Sequence, residues 1–509
     1  MDRKQTYTVA LISVSILALE LIWTRILAAE FFYTFAFLVL SLAVLGLGLG
    51  ALTLRLWPRI DTIHTVGVAL IFGGVAMLLG PPAVYGLGMS FTGLMGSFAM
   101  LGKLILVILI LSSSFYFCGI SLAILFKRFH SNISQLYMAD LLGAGLGVIL
   151  ALLAMNTFST PVATFFISIP IFIAAFVNLP KLQKIIPGVL ILVSLIAGFN
   201  SDTLLKSSRP ERAPVIYQHW DAMAQIKMFA YPGDEARGMV IDNAANTPVY
   251  KFDGDFSRPD SGAEDLWGIP VGDLISQFDS CQFLSLGAGG GADVLQALVE
   301  GATEVVAVEV NPWLNKLLTE GDPEGYLSSY TDTLSGALIA TPEYTSEFYQ
   351  DPRVTVVSED ARAYIRRHKS SFDVIYSLSS NTFAALASGS FALAENYLFT
   401  TEAFQDYWVA LSDSGFLMME HQFYMPRLLS EVLAALDNLG IENPTSHFAV
   451  YNLPSMRRKV VLLSKRPLEP DFLRIALRDI TDDNFTDIHL LYPAADSLKD
   501  NIYQRIVED

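Results

Sequence analysis

Residues 283–309 read FLSLGAGGGADVLQALVEGATEVVAVE, and this stretch decides the fold of the C-terminal half of the chain. FLSL predicts a short buried strand, ADVLQALVEGA has the apolar spacing of a helix, and TEVVAVE predicts a second buried strand that ends in Glu309. The turn between the first strand and the helix holds Gly287, Gly289, Gly290 and Gly291. Strand, glycine turn, helix, strand and closing acid form the first half of a doubly wound nucleotide-binding sheet.

The glycine turn and the closing acid each have a chemical use. Glycine lets a backbone approach a ligand where a Cβ would collide. A carboxylate at the end of the second strand can accept hydrogen bonds from both ribose hydroxyls. A dinucleotide site of the G-x-G-x-x-G type would need glycine where Ala292 stands. The G-x-G-G-G run therefore favours a nucleoside without phosphates, such as S-adenosylmethionine.

The composition divides the chain into an apolar half and an acidic half. Of the 509 residues, 52% are hydrophobic, and the mean hydropathy is +0.45, too apolar for an ordinary soluble protein. Residues 1–200 hold five acidic and ten basic side chains, which leaves 45 acidic and 23 basic side chains for the remainder. That acidity disfavours nucleic acid as a partner. Cys118 and Cys281 form no metal motif, and we expect no metal cofactor.

The N-terminal half contains apolar runs long enough to span a bilayer. Six runs meet that length, and they cover residues 7–29, 31–54, 65–85, 101–126, 136–158 and 160–178. A seventh run, at 185–199, has fifteen residues. We therefore expect a helical transmembrane domain over residues 1–200, with six spans and a short seventh, in a bacterial-type inner membrane. The lipid bilayer is thus one partner of the chain.

Basic residues predict the orientation of this domain, because lysine and arginine are enriched at the cytoplasmic ends of spans. They occur at alternate connections, as Arg3 and Lys4, Arg55 and Arg59, Lys127 and Arg128, and Lys181 and Lys184. This pattern predicts a cytoplasmic N-terminus. A helix over the seventh run covers ~22 Å, short of a ~30 Å hydrocarbon core. We therefore expect the seventh run not to cross and the soluble half to be cytoplasmic, where adenosylmethionine is supplied.

Glu20, Arg25 and Asp140 are ionisable side chains that lie within the spans. Charged groups in a membrane are costly and usually face one another or a cavity. Glu20 and Arg25 are five residues apart, so they point away from one another around their helix. Arg25 and Asp140 lie toward opposite ends of their spans, so we expect no direct bond between them. A polar pocket for a substrate and helix packing through buried polar bonds both remain open.

The soluble half divides into further segments. Residues 201–213 are a polar linker, residues 214–279 predict a small β subdomain with a connecting helix, and residues 469–509 form an acidic C-terminal tail. Between them, residues 280–468 continue the doubly wound pattern. Further strands are predicted at 354–360, 372–378 and 415–423, and the run at 459–465 closes the sheet. Residues 321–350 have the composition of an insertion that could act as a lid.

Polar candidates follow the predicted strands, at the edge where ligands of such sheets bind. Asp360 ends the third strand, where it can accept from the adenine amine or cap the next helix. The segment 379–399 follows the fourth strand and contains the candidates for substrate chemistry, Asn381, Glu395 and Tyr397. Glu395 is a candidate general base or cation ligand. His421 follows the fifth strand and is interpreted as structural.

At this point the chain resembles a known family. The match to spermidine synthases, the polyamine aminopropyltransferases, runs from about Tyr217 to Lys465 and includes the glycine turn, SEDA at 358–361 and LFTTEAF at 398–404. The membrane half resembles the multi-spanning, spermidine synthase-like bacterial membrane proteins, and together the resemblance covers nearly the whole chain. Its typical segments are ELIWTRIL at 20–27, LYMADLLGAGLG at 136–147, VEVNP at 308–312 and AENYLFTTEAF at 394–404.

This resemblance implies the fold and the site. It implies a transmembrane helical bundle followed by a Rossmann-like α/β domain of the class I methyltransferase or spermidine synthase type, with a small N-terminal β-sheet. Glu309 would bind the ribose, Asp360 with Ala361 the adenine, and the glycine turn the sulfonium tail. Asn246, in IDNAAN at 241–246, falls where soluble synthases place a nucleoside-contacting glutamine. The co-substrate would be S-adenosylmethionine or its decarboxylated form.

The chain departs from the family at three acids. Gly290 stands where soluble synthases carry an acid, and residues 378–382 read LSSNT in place of D-x-x-D-P. Since the first acid of that motif binds and deprotonates the attacking amine, the usual mechanism lacks its base here.

Three functions therefore remain open. The resemblance implies aminopropyl transfer to an amine. Methyl transfer from adenosylmethionine is the enzymatic alternative, and the third is a non-catalytic membrane transporter or sensor with a nucleoside-binding domain. The sequence leaves the oligomeric state open, and an oligomer is compatible with it.

Overall fold

The computed structural model of the chain describes residues 3–31, 34–88, 97–206, 211, 213–230, 236–257, 271–323, 325–327, 339–378, 398–421, 425–453, 458–475, 489–493 and 501–508.

Seven membrane-length helical segments make up the described part of the N-terminal half. They are α1 (Arg3–Phe31), α2 (Thr34–Leu56), α3 (Ile63–Leu87), α4 (Phe98–Arg128), α5 (Ile133–Phe158), the pair α6 (Thr160–Phe166) and α7 (Ser168–Asn178), and α8 (Ile185–Phe199). All seven are long and apolar enough to cross a bilayer, as expected of a multi-pass membrane domain. The short helix α9 (Ser201–Leu204) follows.

The last membrane-length segment is longer than the apolar run that predicts it. A 3-10 turn over Lys181–Lys184 leads directly into α8, so the helical stretch covers 19 residues, Lys181–Phe199. At ~1.5 Å per α-helical and ~2.0 Å per 3-10 residue, it measures about 30 Å. That length matches the ~30 Å hydrocarbon core of a bilayer. The segment is therefore long enough to cross, which the fifteen apolar residues alone did not indicate.

The sixth segment is interrupted between α6 and α7. Pro170 follows the interruption, and proline removes a backbone N–H and collides with the carbonyl four residues earlier. The hydroxyl of Ser15, in α1, donates to the carbonyl of Ile167 at the break (2.8 Å). A side chain of the neighbouring helix thus satisfies a carbonyl at this break.

Glycines bring two helix pairs into backbone contact. In GAGLG at 143–147, a Cβ on Gly143 or Gly147 would lie 2.5 Å from a carbonyl oxygen of α1, that of Ala10 or Val14. In GLGLG at 46–50, a Cβ on Gly46 would lie 2.8 Å from the carbonyl of Ser112 in α4. Small residues at these positions let the paired helix backbones approach closely.

The soluble half contains two sheets in its described ranges. The smaller is a four-stranded antiparallel sheet in the order β1 (Val215–Trp220), β2 (Gln225–Ala230), β3 (Ala236–Ile241) and β4 (Ala245–Tyr250). The larger is an eight-stranded mixed sheet in the order β12-β10-β11-β9-β8-β5-β6-β7. The fold class expected from the sequence, a helical membrane bundle with a Rossmann-like α/β domain and a small β-sheet, is confirmed.

The larger sheet has a parallel part and an antiparallel part. Strands β5 to β9 pair in parallel, and β10 to β12 extend the sheet in antiparallel register. The run at 459–465, expected to close the sheet, lies in β11, and two more strands pair beyond it. One of them, β12, comes from the region expected to be a tail. The strands are β5 (Gln282–Leu286), β6 (Glu304–Glu309), β7 (Val354–Ser358), β8 (Phe372–Leu378), β9 (Leu411–His421), β10 (Phe448–Leu453), β11 (Arg458–Ser464) and β12 (His489–Tyr492).

Helices cover both faces of this sheet, and its apolar core lies in two clusters between sheet and helices. The helices are α10 (Gly272–Ile275), α11 (Ala292–Val299), α12 (Pro312–Thr319), α13 (Thr341–Tyr344), α14 (Ala361–Ile365), α15 (Thr401–Ala410), α16 (Met425–Asn438), α17 (Pro470–Ile475) and α18 (Ile502–Glu508). The chain order reverses between β5 and β8, so the crevice at the carboxyl ends of these two strands is the expected ligand position.

The small sheet rests on the end of the membrane bundle through a buried ion pair. Arg25 of α1 donates to the carboxylate of Asp242, which lies in the turn between β3 and β4. The two side chains are 3% and 1% exposed. The same carboxylate accepts from the backbone N–H of Gln225 (2.8 Å). The bond joins a membrane helix to a turn 217 residues further along the chain.

Polar contacts surround this ion pair. Lys227 of β2 lies 3.8 Å from the carboxylate of Glu30, near the C-terminal end of α1. Asn243, beside Asp242 in the turn, donates to the backbone carbonyl of Ala29 (2.9 Å). The helix and the small sheet thus each supply one cation and one anion. Arg25 of α1 faces Asp242, and Lys227 of β2 faces Glu30 of α1.

The connection from α5 to α6 makes further contacts with the small sheet. Thr160, the first residue of α6, donates to the carbonyl of Asp221 (2.7 Å). Asn156, near the end of α5, accepts from the backbone N–H of Ala222 (3.0 Å). Trp220, the last residue of β1, is buried in the same apolar cluster as the membrane helices. The soluble half therefore contacts the bundle at the C-terminal ends of α1 and α5.

The opposite end of the bundle carries the basic residues. Asp61, between α2 and α3, pairs with Lys127 (3.0 Å) and Arg128 (2.5 Å) at the end of α4. Asn178, at the end of α7, donates to Thr8 near the start of α1 (2.8 Å). The N-terminus and the basic connections thus lie at one end, and the soluble half lies at the other.

The Arg25–Asp242 ion pair predicts a strong stability effect. Arg25→Met leaves a buried carboxylate without its cation, and we expect a loss of roughly 3–5 kcal/mol in the free energy of unfolding. Denaturant unfolding of the purified protein in detergent measures this loss. The double variant Arg25→Met/Asp242→Leu removes both charges and is expected to recover most of it.

Arg55→Met, at the exposed end of α2, is the matched control, and we expect it to unfold like the wild type. A single Arg25 variant with wild-type stability would show that the ion pair does not hold the two halves together.

Candidate functional site

The glycine turn lies at the carboxyl end of β5, where the chain order of the sheet reverses. Gly291 has φ +81°, a left-handed conformation that favours glycine, and a Cβ there would lie 2.3 Å from the ring of Tyr349. A Cβ on Gly290 would lie 2.1 Å from the carbonyl oxygen of Pro248 in β4. The acid that the family resemblance expects at position 290 is therefore excluded by the backbone of β4.

Backbone hydrogen bonds fix the shape of this turn. The N–H groups of Gly287 and Ala288 both donate to the carbonyl of Val308 (2.9 and 3.1 Å). The N–H of Gly289 donates to the carboxylate of Glu309 (3.2 Å). The turn after β5 is thus held against the end of β6, the strand beside it in the sheet.

Thr247 of β4 holds the turn from the other side. Its hydroxyl accepts from the N–H of Gly290 (2.9 Å). The sequence reasoning singled out its neighbour Asn246, which is exposed on β4. Successive side chains of a strand point to opposite faces, so Asn246 and Thr247 cannot both face the turn. The sequence alone did not indicate Thr247, because only the antiparallel pairing of β4 decides which of the two side chains points toward the glycine turn.

Glu309 ends β6 beside the glycine turn. Its side chain is 7% exposed, and its second oxygen accepts from the backbone N–H of Asn311 (2.9 Å). Burial raises the pKa of the Glu309 carboxyl, and the backbone N–H donors oppose that rise. Val310, the next residue, is 54% exposed, which leaves an apolar surface next to the carboxylate. The arrangement suits a sugar hydroxyl beside an apolar ring, and the ribose role of Glu309 stays a prediction.

Asp360 follows β7, the neighbour of β6. Ser358, two residues before it, is the cross-strand partner of Glu309, so both acids lie at the same edge of the sheet. The Asp360 side chain accepts from the N–H of Ala363 (2.8 Å) and caps α14, whose first residue is Ala361. The helix cap is thus observed, and an adenine contact of Asp360 with Ala361 stays a prediction.

The residues expected to act on the substrate lie outside the described ranges. Asn381, Glu395 and Tyr397 all fall within 379–397. Part of the expected lid is described, and residues 339–350 pack on the glycine turn through Phe348 and Tyr349. His421 is buried at the end of β9, and burial lowers its pKa to about 4. A neutral, buried histidine agrees with the structural role expected for it.

The candidates Glu20, Arg25 and Asp140 do not converge. Arg25 reaches Asp242 in the soluble half, and Asp140 accepts from the hydroxyl of Ser13 in α1. Glu20 is half-buried on α1. Among the described residues no contact joins any two of Glu20, Arg25 and Asp140. The absence of an Arg25–Asp140 bond agrees with the expectation, and these polar bonds connect elements of the fold.

A group of buried polar side chains lies beneath the glycine turn and was not expected from the sequence. Asp293, the second residue of α11, is 4% exposed and accepts from the hydroxyl of Ser285 in β5. Glu420 of β9 is fully buried and accepts from the hydroxyl of Tyr376 in β8. Asp293 resembles an ordinary helix N-terminal acid in the sequence. The serine within the apolar run FLSL was the one sequence signal that could have indicated a buried polar partner for Asp293.

Comparisons with known proteins give structural neighbours alone. No family model matches the chain, and no curated protein matches it. A spermidine synthase from Thermotoga maritima is 18% identical, with a TM-score of 0.34 over 54% of this chain and 79% of that one. A probable spermidine synthase from Corynebacterium glutamicum is 14% identical, with a TM-score of 0.36 over 54% and 89%.

A putative methyltransferase from Escherichia coli is 11% identical, with a TM-score of 0.25 over 44% of this chain and 93% of that one. Values this low support neither a shared activity nor a shared ligand. The description of the site therefore rests on its own residues and their contacts.

The position of Glu309 generates a binding prediction. We expect the detergent-purified protein to bind S-adenosylmethionine or methylthioadenosine, and Glu309→Ala to weaken binding by at least ~1.5 kcal/mol, because hydrogen bonds to a charged group are lost. Isothermal titration calorimetry measures both affinities. Glu304→Ala is the matched control, since Glu304 is exposed at the opposite end of the same strand. Equal affinities of wild type and Glu309→Ala would refute the ribose assignment.

Proposed function

We propose that this chain is an integral-membrane group transferase that holds an S-adenosylmethionine-type nucleoside at the edge formed by the glycine turn and Glu309. The observation that carries the proposal is the hydrogen bond from Gly289 N–H to the Glu309 carboxylate (3.2 Å). It brings a closing acid and a side-chain-free turn together at the point where the strand order reverses. The exposed Val310 supplies an apolar surface for the base.

The first reaction to test is aminopropyl transfer from decarboxylated adenosylmethionine to an amine. The amine nitrogen attacks the propyl carbon beside the sulfonium, the C–S bond breaks as the N–C bond forms, and the sulfur leaves as the neutral thioether methylthioadenosine. The amine proton passes to a base. Such a displacement depends on alignment of the two reactants. Glu395 is the candidate base because the family's acids are absent from residues 290 and 378.

Methyl transfer is the second reaction, and a specific contact favours it. The backbone carbonyl of Pro248 occupies the space that a side chain at position 290 would need, so there is no room for the family's acid there. Without that acid there is less reason to prefer the decarboxylated co-substrate over adenosylmethionine, the methyl donor. The same nucleoside site would then release adenosylhomocysteine, and product analysis separates the two reactions.

A third function, a nucleoside-binding sensor, is favoured by the arrangement of the bundle. The basic residues and the soluble half lie at opposite ends, and the seventh segment is long enough to cross. If the basic end is cytoplasmic, the soluble half lies on the outer side, opposite to the side expected from the fifteen-residue run. An enzyme that consumes adenosylmethionine needs the cytoplasmic side, whereas a sensor of external nucleosides needs the outer side.

Glu395 carries the substrate prediction. We expect Glu395→Gln to lower turnover with an amine acceptor by ~10²–10⁴-fold, the usual effect of losing a general base. Nucleoside affinity is expected to stay unchanged, because Glu309 and the glycine turn lie elsewhere in the chain. Consumption of the sulfonium nucleoside with candidate amines measures turnover. Glu402→Gln, an exposed acid at the start of α15, is the matched control.

Unchanged turnover in Glu395→Gln would remove this residue from the mechanism. A wild-type protein that binds the nucleoside and turns over no amine would favour methyl transfer or the sensor.

The orientation is decided by cysteine labelling in intact cells. Both native cysteines are buried, so engineered cysteines report with little background. We expect Glu508→Cys, in the soluble half, to react with a membrane-impermeant reagent after lysis alone, because the proposed transferase needs the cytoplasmic supply of adenosylmethionine. Ser131→Cys, at the basic end, is then expected to react in intact cells.

The reverse pattern, which the positions of the basic connections favour, would place the soluble half outside the cytoplasm and support the sensor instead of the transferase. In either orientation the bilayer and a small molecule are the proposed partners, and size measurement in detergent gives the oligomeric state.

A further inference from the structure

A buried carboxyl lies directly behind the glycine turn. Asp293 follows Gly291 by two residues, and its side chain points toward the sheet, where the hydroxyl of Ser285 donates to it. Its other oxygen accepts from the backbone N–H of Val294 (3.0 Å). These contacts place a carboxyl within the first turn of the helix that begins at the ligand edge.

The charged groups facing Asp293 do not neutralise it. Both of the neighbouring charged side chains are acids: Glu420 lies on β9, and Glu309 lies at the end of β6. Within the described part of the chain, no lysine or arginine pairs with Asp293. Burial, with a contribution from Glu420, raises the Asp293 pKa to about 7. A positive charge placed beside this carboxyl would stabilise its ionised form.

Tyr349 adds a second, independent observation. Its side chain is 2% exposed, and its hydroxyl has no hydrogen-bond partner among the described residues. The hydroxyl oxygen lies 2.9 Å from where a Cβ of Gly291 would be. Burial raises the pKa of Tyr349, and the neighbouring Asp293 and Glu309 add to that rise. A buried polar group without a partner is costly, and it is expected to find one in a ligand or a bound water.

The plainest alternative is that Ser285 and Asp293 form a polar bond that merely packs α11 against the sheet. An apolar pair of similar volume would pack there without the cost of burying a carboxyl. Nor does packing explain the unpartnered hydroxyl of Tyr349 next to the same turn. Both features are explained if a cationic ligand completes the charge balance when it occupies the turn.

We propose that Asp293 is the counter-charge for the cationic group of the ligand bound at the glycine turn, with the Tyr349 hydroxyl as a hydrogen-bonding partner in the same subsite. This inference rests on the proposed function, in which the ligand is a sulfonium nucleoside. It also assigns a place to the acid that the backbone of β4 excludes from position 290. The carboxyl stands three residues further along, in the first turn of α11.

A pH dependence follows from this assignment. In the empty site the Asp293 carboxyl, with its pKa at about 7, is partly protonated at neutral pH. A bound cation favours the ionised form, so binding releases a proton and the affinity rises as the pH increases through 7. A neutral thioether of the same nucleoside gains nothing from ionised Asp293. Its affinity is therefore expected to stay nearly constant.

The test compares adenosylmethionine, which carries the sulfonium, with methylthioadenosine, which does not. Calorimetry on the full-length protein in detergent at pH 6, 7 and 8 gives both affinities. In the wild type we expect adenosylmethionine to lose up to about tenfold in affinity from pH 8 to pH 6, and methylthioadenosine less than about twofold. Asp293→Asn keeps the acceptor for Ser285 and is expected to weaken the binding of adenosylmethionine alone. In this variant the pH dependence is expected to disappear.

Two further variants sharpen the comparison. Tyr349→Phe is expected to weaken adenosylmethionine binding several-fold while the pH dependence stays. Asp437→Asn, an exposed acid on α16, is the control and is expected to match the wild type at every pH. Methylthioadenosine binding verifies the fold of each variant.

Proton release in the wild type requires no variant. Titrations at pH 7 in two buffers of different ionisation enthalpy are expected to give about half a proton released with adenosylmethionine and almost none with methylthioadenosine. Equal proton release with the two ligands, or wild-type behaviour of Asp293→Asn, would overturn the role of Asp293. If the wild type bound neither ligand, the proposed nucleoside site itself would fail, which is a different result.

Discussion

The buried ion pair between Arg25 and Asp242 is the contact on which the relation between the two halves depends. It stands at the end of α1, which also packs against α5 through Gly143 and Gly147. The same β3–β4 turn leads within five residues to Thr247, whose hydroxyl holds the glycine turn. Bundle, small sheet and candidate site are therefore joined by one short series of contacts.

The local parts of this fold were predictable from the sequence. The glycine turn and its flanking strands have their own pattern over 27 residues, 283–309, and the apolar spans are continuous in the chain. The length of the seventh span was underestimated because the 3-10 turn at Lys181–Lys184 contains polar residues that break the apolar run. A hydropathy pattern records composition, whereas the span depends on where the backbone becomes helical.

The parts that could not be predicted depend on contacts between distant residues. Arg25 finds its partner 217 residues away, and Thr247 reaches Gly290 across 43 residues. Asp293 looks like an exposed helix acid until the Ser285 hydroxyl shows that it points inward. Position 290 shows the same limit. The sequence shows only that the family's acid is missing there. The structure shows that the backbone of β4 fills the space which that acid would need.

Trp220 has a consequence for how the two halves could be separated. Its ring is buried in the apolar cluster of the membrane helices, although it belongs to the first strand of the small sheet. A soluble fragment cut at the linker would expose this indole together with the carboxylate of Asp242, both of which are now shielded by α1. The soluble half therefore depends on the membrane helices to cover both side chains. A domain that was only tethered to the membrane would not bury such residues against its anchor.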